Sequence, residues 1–255
     1  MSLRRIVKQT FYAGGCLFFL AVLISVIITV VVHPRSTPPP TAPAVSYQDI
    51  QVENVSVVEH NGLSDIVARL RNPNPQAGVG RLPLTFTILD DQGNQLATKT
   101  TDTYILPASL QYAAVFNIPT NKRIATVNVS LPPEIPFIKL PSSLPMPTFN
   151  AFLRDRSLKQ VGRNSYQEQT GQITNTGSFD FLRVEVTVIA LDNQDNIIGA
   201  GQTFLGQLNS GQQRDFVVQW PARNVEIARV IVQPSTNIFL EENITKIIGD
   251  PSLLR

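Results

Sequence analysis

The residues able to carry chemistry are few and widely spaced. Histidine occurs at His33 and His60, and the single cysteine is Cys16. A Ser-His-Asp triad needs an imidazole held between a carboxylate and a nucleophile. His60 sits in the turn-like Glu59-His60-Asn61-Gly62, and the chain has no Gly-x-Ser-x-Gly elbow. Nitrogen or sulfur ligation of a metal fails similarly, since no second histidine or cysteine lies near His60. Carboxylates remain, at Asp90-Asp91-Gln92-Gly93-Asn94 and Asp192-Asn193-Gln194-Asp195-Asn196. These can be read as a catalytic pair, as calcium ligands or as turn formers. Asp and Asn hydrogen-bond to their own backbone in turns, and the spacing is not Asp-x-Asp-x-Asp-Gly, so the turn role is expected. Gly78-Val79-Gly80 precedes a strand with no helix after it, which rules out a phosphate-binding loop. Trp220 is expected in a core rather than as a binding platform. No catalytic residue, cofactor-binding residue or metal ligand is assigned, and no cofactor is expected.

The elements that carry these residues repeat. Slid by 102 positions, Leu89, Asp90, Gln92, Asn94, Leu96, Leu106 and Pro119 fall on Leu191, Asp192, Gln194, Asn196, Ile198, Leu208 and Pro221. One residue further on, Leu70-Arg71-Asn72 falls on Ile173-Thr174-Asn175, and residues 124–129 fall on 227–232. A period near 100 residues points to two tandem domains rather than a solenoid. Inside each copy the period is two. Leu182, Val184, Val186, Val188 and Ala190 alternate with Arg183, Glu185, Thr187 and Ile189, and Leu82, Leu84, Phe86 and Ile88 match them in the first copy. Further strands are expected near 49–58, 64–72, 95–105, 111–118 and 123–130, with counterparts in the second copy. Six or seven short strands per copy, joined by hairpin turns, make a β-sandwich.

Asn72-Pro73-Asn74-Pro75, followed by a strand ending Ile88-Leu89-Asp90 and a Gly-Asn turn, resembles the water-stress group of late-embryogenesis-abundant sandwiches. Asn175-Thr176-Gly177, Val184 to Asp192, Ile197-Ile198-Gly199 and Leu208-Asn209-Ser210-Gly211-Gln212 are similar to the FxLYD-type domains of bacterial envelope proteins. The resemblance covers roughly residues 49–130 and 152–235. The signature itself is replaced by Phe86-Thr87-Ile88-Leu89-Asp90 and Val188-Ile189-Ala190-Leu191-Asp192, with no tyrosine before the aspartate. The resemblance implies an immunoglobulin-like fold and no enzyme, cofactor or fixed ligand.

Residues 12–32 carry no charge and at about 1.5 Å per residue reach roughly 30 Å, a bilayer's hydrocarbon thickness. Arg4, Arg5 and Lys8 precede this run and Arg35 follows it, which places the N-terminus in the cytoplasm and exports the rest. Ala42-Pro43-Ala44 has the form of a signal cleavage site, but it lies well past the apolar run among prolines. Cys16 follows Ala13-Gly14-Gly15 with most of the apolar core after it, the reverse of a lipidated cysteine, so it is expected to be an unreactive helix residue. Residues 33–47 are proline-rich and form an extended spacer of up to about 45 Å. A second proline-rich stretch, 132–149, links the copies; its apolar residues are expected to pack on a neighbouring domain.

The formal charge of +2 belongs to the anchor. Taking Arg4, Arg5, Lys8 and Arg35 from 21 Lys and Arg leaves 17 against 19 Asp and Glu. No basic patch with interleaved aromatics follows, and nucleic-acid binding is not expected. Asn54, Asn128 and Asn243 open glycosylation sequons, two of them in expected strands.

The expectation is an all-β chain of two tandem immunoglobulin-like β-sandwich domains preceded by one N-terminal transmembrane α-helix. Its parts are a cytoplasmic N-terminus (1–11), transmembrane helix (12–32), spacer (33–47), domain 1 (48–131), linker (132–149), domain 2 (150–240) and C-terminal tail (241–255). In function it is a plasma-membrane-anchored, non-catalytic envelope protein serving as an extracytoplasmic interaction or structural module. Its partners are the lipid bilayer, through the helix, and an envelope or surface protein or polymer. The alternative is an exported enzyme or solute-binding protein with a site between the sandwiches, built from carboxylates such as Asp90 and Asp192.

Overall fold

The computed structural model describes residue 18 and residues 20–25, 46–119, 122–142 and 144–247. The chain divides into two units, Met1–Ser46 and Tyr47–Arg255. In the first, residues 18 and 20–25 are helical. Among the described residues no helix is long and apolar enough to cross a membrane. Most of the expected span 12–32, with Cys16, His33 and the spacer 33–45, lies outside the described residues.

The second unit is all-β. Its strands are β1 (Gln51–His60), β2 (Leu63–Arg71), β3 (Ala77–Leu89), β4 (Gln95–Ile105), β5 (Leu110–Pro119), β6 (Thr126–Ser130) and β7 (Ile138–Lys139), then β8 (Phe149–Val161), β9 (Asn164–Asn175), β10 (Phe179–Leu191), β11 (Ile197–Leu208), β12 (Gln213–Pro221), β13 (Arg229–Ser235) and β14 (Ile244–Ile247). They form four antiparallel sheets. In residues 47–140, the first half, β1-β2-β5 faces β4-β3-β6, with β7 added to β3; in the second half β8-β9-β12 faces β11-β10-β13, with β14 added to β10. The two halves thus repeat one connectivity strand for strand. Residues 241–247, read from the sequence as the start of a tail, supply a short 3₁₀ turn and β14.

The period-two pattern explains two of the cores. Leu82, Leu84, Phe86 and Ile88 of β3 meet Ile66, Ala68 and Leu70 of β2 inside the first half. Val184, Val186, Val188 and Ala190 of β10 meet Ile173, Phe216, Val218 and Trp220 inside the second. Leu182 breaks the expected alternation: Phe181 and Val184 are both in the core, and Leu182 and Arg183 between them are exposed.

A third cluster was not read from the sequence. On the opposite face of β10, Thr187 and Ile189 are 1% and 0% exposed. Ile189 joins Leu191, Ile197 and Ala200 against Val58, Val67 and Tyr112 of the first half. The outer face of β1-β2-β5 therefore packs on the outer face of β11-β10-β13, and the four sheets form one stack. The linker follows this stack, with Phe137 packing on the first core and Leu140, Leu144 and Met146 on the second.

Candidate functional site

The acidic turns prove to be turn chemistry. Asp90 Oδ1 accepts the N–H groups of Gln92 and Asn94 at 3.0 and 2.8 Å, and Asp192 Oδ1 accepts those of Gln194 and Asn196 at 2.8 and 2.9 Å. Neither carboxylate lines either of two hollows at the junction of the halves. The Asn-rich motifs are clamps. Buried Asn72 donates to the carbonyls of Ala77 and Leu106, and Asn175 donates to those of Phe179 and Leu208 at the duplicated position. Trp220 lies in the second core against Gly199, where a Cβ would stand 2.3 Å from its ring. Asn243 is buried and its amide donates to Thr236 Oγ1 and the Asn237 carbonyl; Asn54 and Asn128 are exposed on β1 and β6.

His60 has one close partner. Its Nε2 lies 3.1 Å from Asp65 Oδ2, with both side chains buried, but the approach is too oblique for a hydrogen bond. Asp65 Oδ1 accepts the Asn117 N–H at 2.7 Å, which fixes this carboxylate to β5. Among the described residues no group of three or more His, Cys, Asp or Glu is placed to hold a metal ion.

A concave surface that combines charged, amide and aromatic groups lies at the junction of the halves. A cleft of about 400 Å³ opens between the edges of β4 and β5, lined there by Asp102, Tyr104, Gln111 and Ala113, and is closed by Arg183, Glu185 and Phe204 of the second half. It continues past Tyr104, Glu185 and Asn237 into a hollow of about 380 Å³ bordered by Leu182 and Leu240. The walls are pinned by hydrogen bonds between the halves. The Tyr104 hydroxyl donates to Ser235 Oγ at 2.9 Å, and Asn237 Nδ2 donates to the Gly80 carbonyl at 2.8 Å. Gln233 spans the gap too, its Nε2 donating to the Leu110 carbonyl at 2.7 Å and its Oε1 accepting the Tyr112 N–H at 3.3 Å.

Burial sets the electrostatics. It raises the Glu185 carboxyl above its ordinary range, against the opposing pull of the Arg183 charge and the Tyr104 hydroxyl. Burial also raises the Tyr104 phenol, with the nearby Glu185 charge adding to it. Arg183 stacks its guanidinium 3.5 Å above the Phe204 ring. The cleft thus offers a half-buried carboxyl, a guanidinium and a carboxamide on an apolar floor, a set suited to binding a polar chain by hydrogen bonds.

Sequence reasoning did not assemble this site. Arg183 and Glu185 stood on the polar face of an alternating strand, which was their one signal, whereas Tyr104 and Gln111 had none. No protein-family model matches this chain, and no curated protein matches it.

Proposed function

We propose that this chain is a membrane-anchored, non-catalytic envelope protein whose two tandem immunoglobulin-like sandwiches, carried outside the cytoplasm by a helix over residues 12–32 and a proline-rich spacer, act as an interaction or structural module. The observation that carries this reading is the junction cleft, where Leu182, Phe204 and Leu240, at 50, 49 and 44% exposed, ring a mouth fixed between two locked halves. Large apolar side chains grouped around a polar cleft mark a surface made to be covered. The chain's turn carboxylates support the same reading, since Oδ1 of each is committed to local N–H groups.

The test is in-cell crosslinking in native membranes combined with protease accessibility of intact cells. The expected outcome is digestion of residues beyond 46 from outside and a macromolecular crosslink from positions around the cleft. Shielding of the bulk of the chain from protease would refute the topology. The cleft itself favours a second reading, a solute-binding protein or enzyme with its site between the sandwiches. That reading wins if the purified exterior turns over or retains a small molecule and loses this on Glu185→Gln.

A further inference from the structure

The hollow beyond Tyr104 owes its charge to a rearrangement between the copies. In the first half Arg81 pairs with an acid, its Nη2 standing 2.9 Å from Asp102 Oδ2. Slid by 102 positions, Arg81 falls on Arg183, Asp102 on Phe204 and Pro83 on Glu185. The second arginine therefore meets a ring where the first meets a carboxylate, and it stacks on that ring. The acid has moved to Glu185, directly opposite Phe204 across the β10-β11 ladder. Among the described residues Glu185 forms no ion pair. The Arg183 charge acts on it from further off, and burial prevails over that pull.

The neutral polar groups around this hollow of about 380 Å³ are spent within the chain. The Tyr104 hydroxyl donates to Ser235. Asn237 donates to the Gly80 carbonyl and accepts the Phe239 N–H. Asn243 donates to Thr236 and to the Asn237 carbonyl, and it accepts the Arg183 N–H. Charge is what the lining leaves unanswered, since Glu185 and Glu242 stand there against the single guanidinium of Arg183. Beside them Leu182 and Leu240 are large apolar side chains left exposed. A partly buried carboxylate is costly without a counter-charge. A long basic side chain answers both features, because its methylene stem covers apolar surface while its head carries the charge. A quaternary ammonium would need open aromatic faces, and the Tyr104 ring that lines this hollow is buried.

We propose that this hollow receives a basic side chain of a partner protein, its cationic head set against Glu185 and its stem lying on Leu182 and Leu240. The exposed Glu242 adds to the attraction. This gives the interaction module a partner chemistry and rests on that reading.

The test uses the full-length chain in nanodiscs of phosphatidylcholine, a lipid without net charge, so that basic peptides are not held by the membrane. The probe is a capped seven-residue peptide of alternating Ser and Thr with lysine at its centre, titrated by saturation-transfer NMR. Binding should be saturable, and about fivefold weaker both for central norleucine, which keeps the stem without the charge, and for central diaminopropionate, which keeps the charge on a short stem. Glu185→Gln should weaken it about fivefold while melting no lower than the parent, and Asp215→Asn, on the far sheet, should leave it unchanged. Leu240→Ser should weaken it about twofold and keeps the inference testable if Glu185→Gln does not fold. Equal binding of the lysine and norleucine peptides, binding unchanged by both Glu185→Gln and Leu240→Ser, or no binding by the lysine peptide or its arginine counterpart overturns the inference. So does cadaverine that binds more tightly than the peptide and displaces it, which would assign the hollow to a free amine. A partner crosslinked in native membranes and retained unchanged by Glu185→Gln overturns the basic-side-chain assignment while leaving the interaction module standing.

Discussion

Asp90 and Asp192 hold equivalent hairpin turns, but Asp90 alone also accepts a hydrogen bond from an ammonium, Lys122 Nζ at 2.8 Å. That bond is the largest reason its carboxyl falls to about 2, helped by the Asn94 and Gln92 N–H groups and opposed by burial. Asp192 is lowered as well, by the Asn196 side chain first. A carboxyl with a depressed folded pKa stabilises the fold fully above its unfolded value of about 3.9, and this stabilisation is lost as pH falls through the folded value. Glu185 has the opposite sign. Its raised pKa means that ionisation opposes folding, so its penalty grows as pH rises from the unfolded value of about 4.3 through the folded one. Melting temperatures between pH 2 and 8 should therefore fall steeply below about pH 4. Asp90→Asn should flatten that fall while lowering stability at pH 7, and Glu185→Gln should raise the melting temperature by a few degrees at pH 7 and leave it unchanged at pH 3. Parallel curves for all three proteins would contradict both assignments.

At the scale of elements, β3 and β11 each carry glycines, with different consequences. A Cβ on Gly80 would stand 2.7 Å from the Phe239 Cβ, and one on Gly78 would stand 2.6 Å from its Cζ, so these two positions let the segment after β13 reach across onto the first half. Gly206 of β11 has nothing within 4 Å. Gly80→Ala should cost about 2 kcal/mol in urea unfolding, since Phe239 and the Asn237 hydrogen bond must both shift. Gly206→Ala should be neutral or slightly stabilising, because it only restricts the unfolded chain. Similar costs at the two sites would mean that Phe239 is no key. Such contacts explain what could be read in advance. Period-two runs and the 102-residue slide gave the strands of both copies, the turn role of Asp90 and Asp192 and the burial of Trp220, because these depend on neighbours close in sequence. Gly78-Val79-Gly80 could be excluded as a phosphate loop, but its partner, Phe239, lies over 150 positions away and leaves no local trace. The cleft was hidden for the same reason, being built from Tyr104, Gln111, Arg183 and Glu185 on four different strands. One clue was present, Ile189 on an otherwise polar face of β10.

Across the whole molecule, Ile189 decides whether the halves can live apart. Duplicated turns and strands invite the reading of two independent cores, yet Ile189, Leu191 and Ile197 are buried against Val58, Val67 and Tyr112 of the other copy. At about 1.5–3 kcal/mol for each fully buried aliphatic side chain, exposing those three costs roughly 5–9 kcal/mol, comparable with the whole stability of an ordinary domain. Cutting the chain at residue 140 should therefore yield a second half that builds its own sheets, since its core residues are all present, but covers the exposed β10-β11-β13 face by self-association. Analytical ultracentrifugation of residues 140–247 should show dimers or larger species, and Ile189→Lys should return the fragment to a monomer. In the intact second unit, Tyr47–Arg255, the same substitution places a charge in the buried seam. It should lower stability by at least about 3 kcal/mol and split one calorimetric transition into two. A monomeric fragment that melts at the temperature of the intact protein, together with an intact Ile189→Lys variant that still melts in one step, would mean that the seam contributes little and that the copies fold as separate domains.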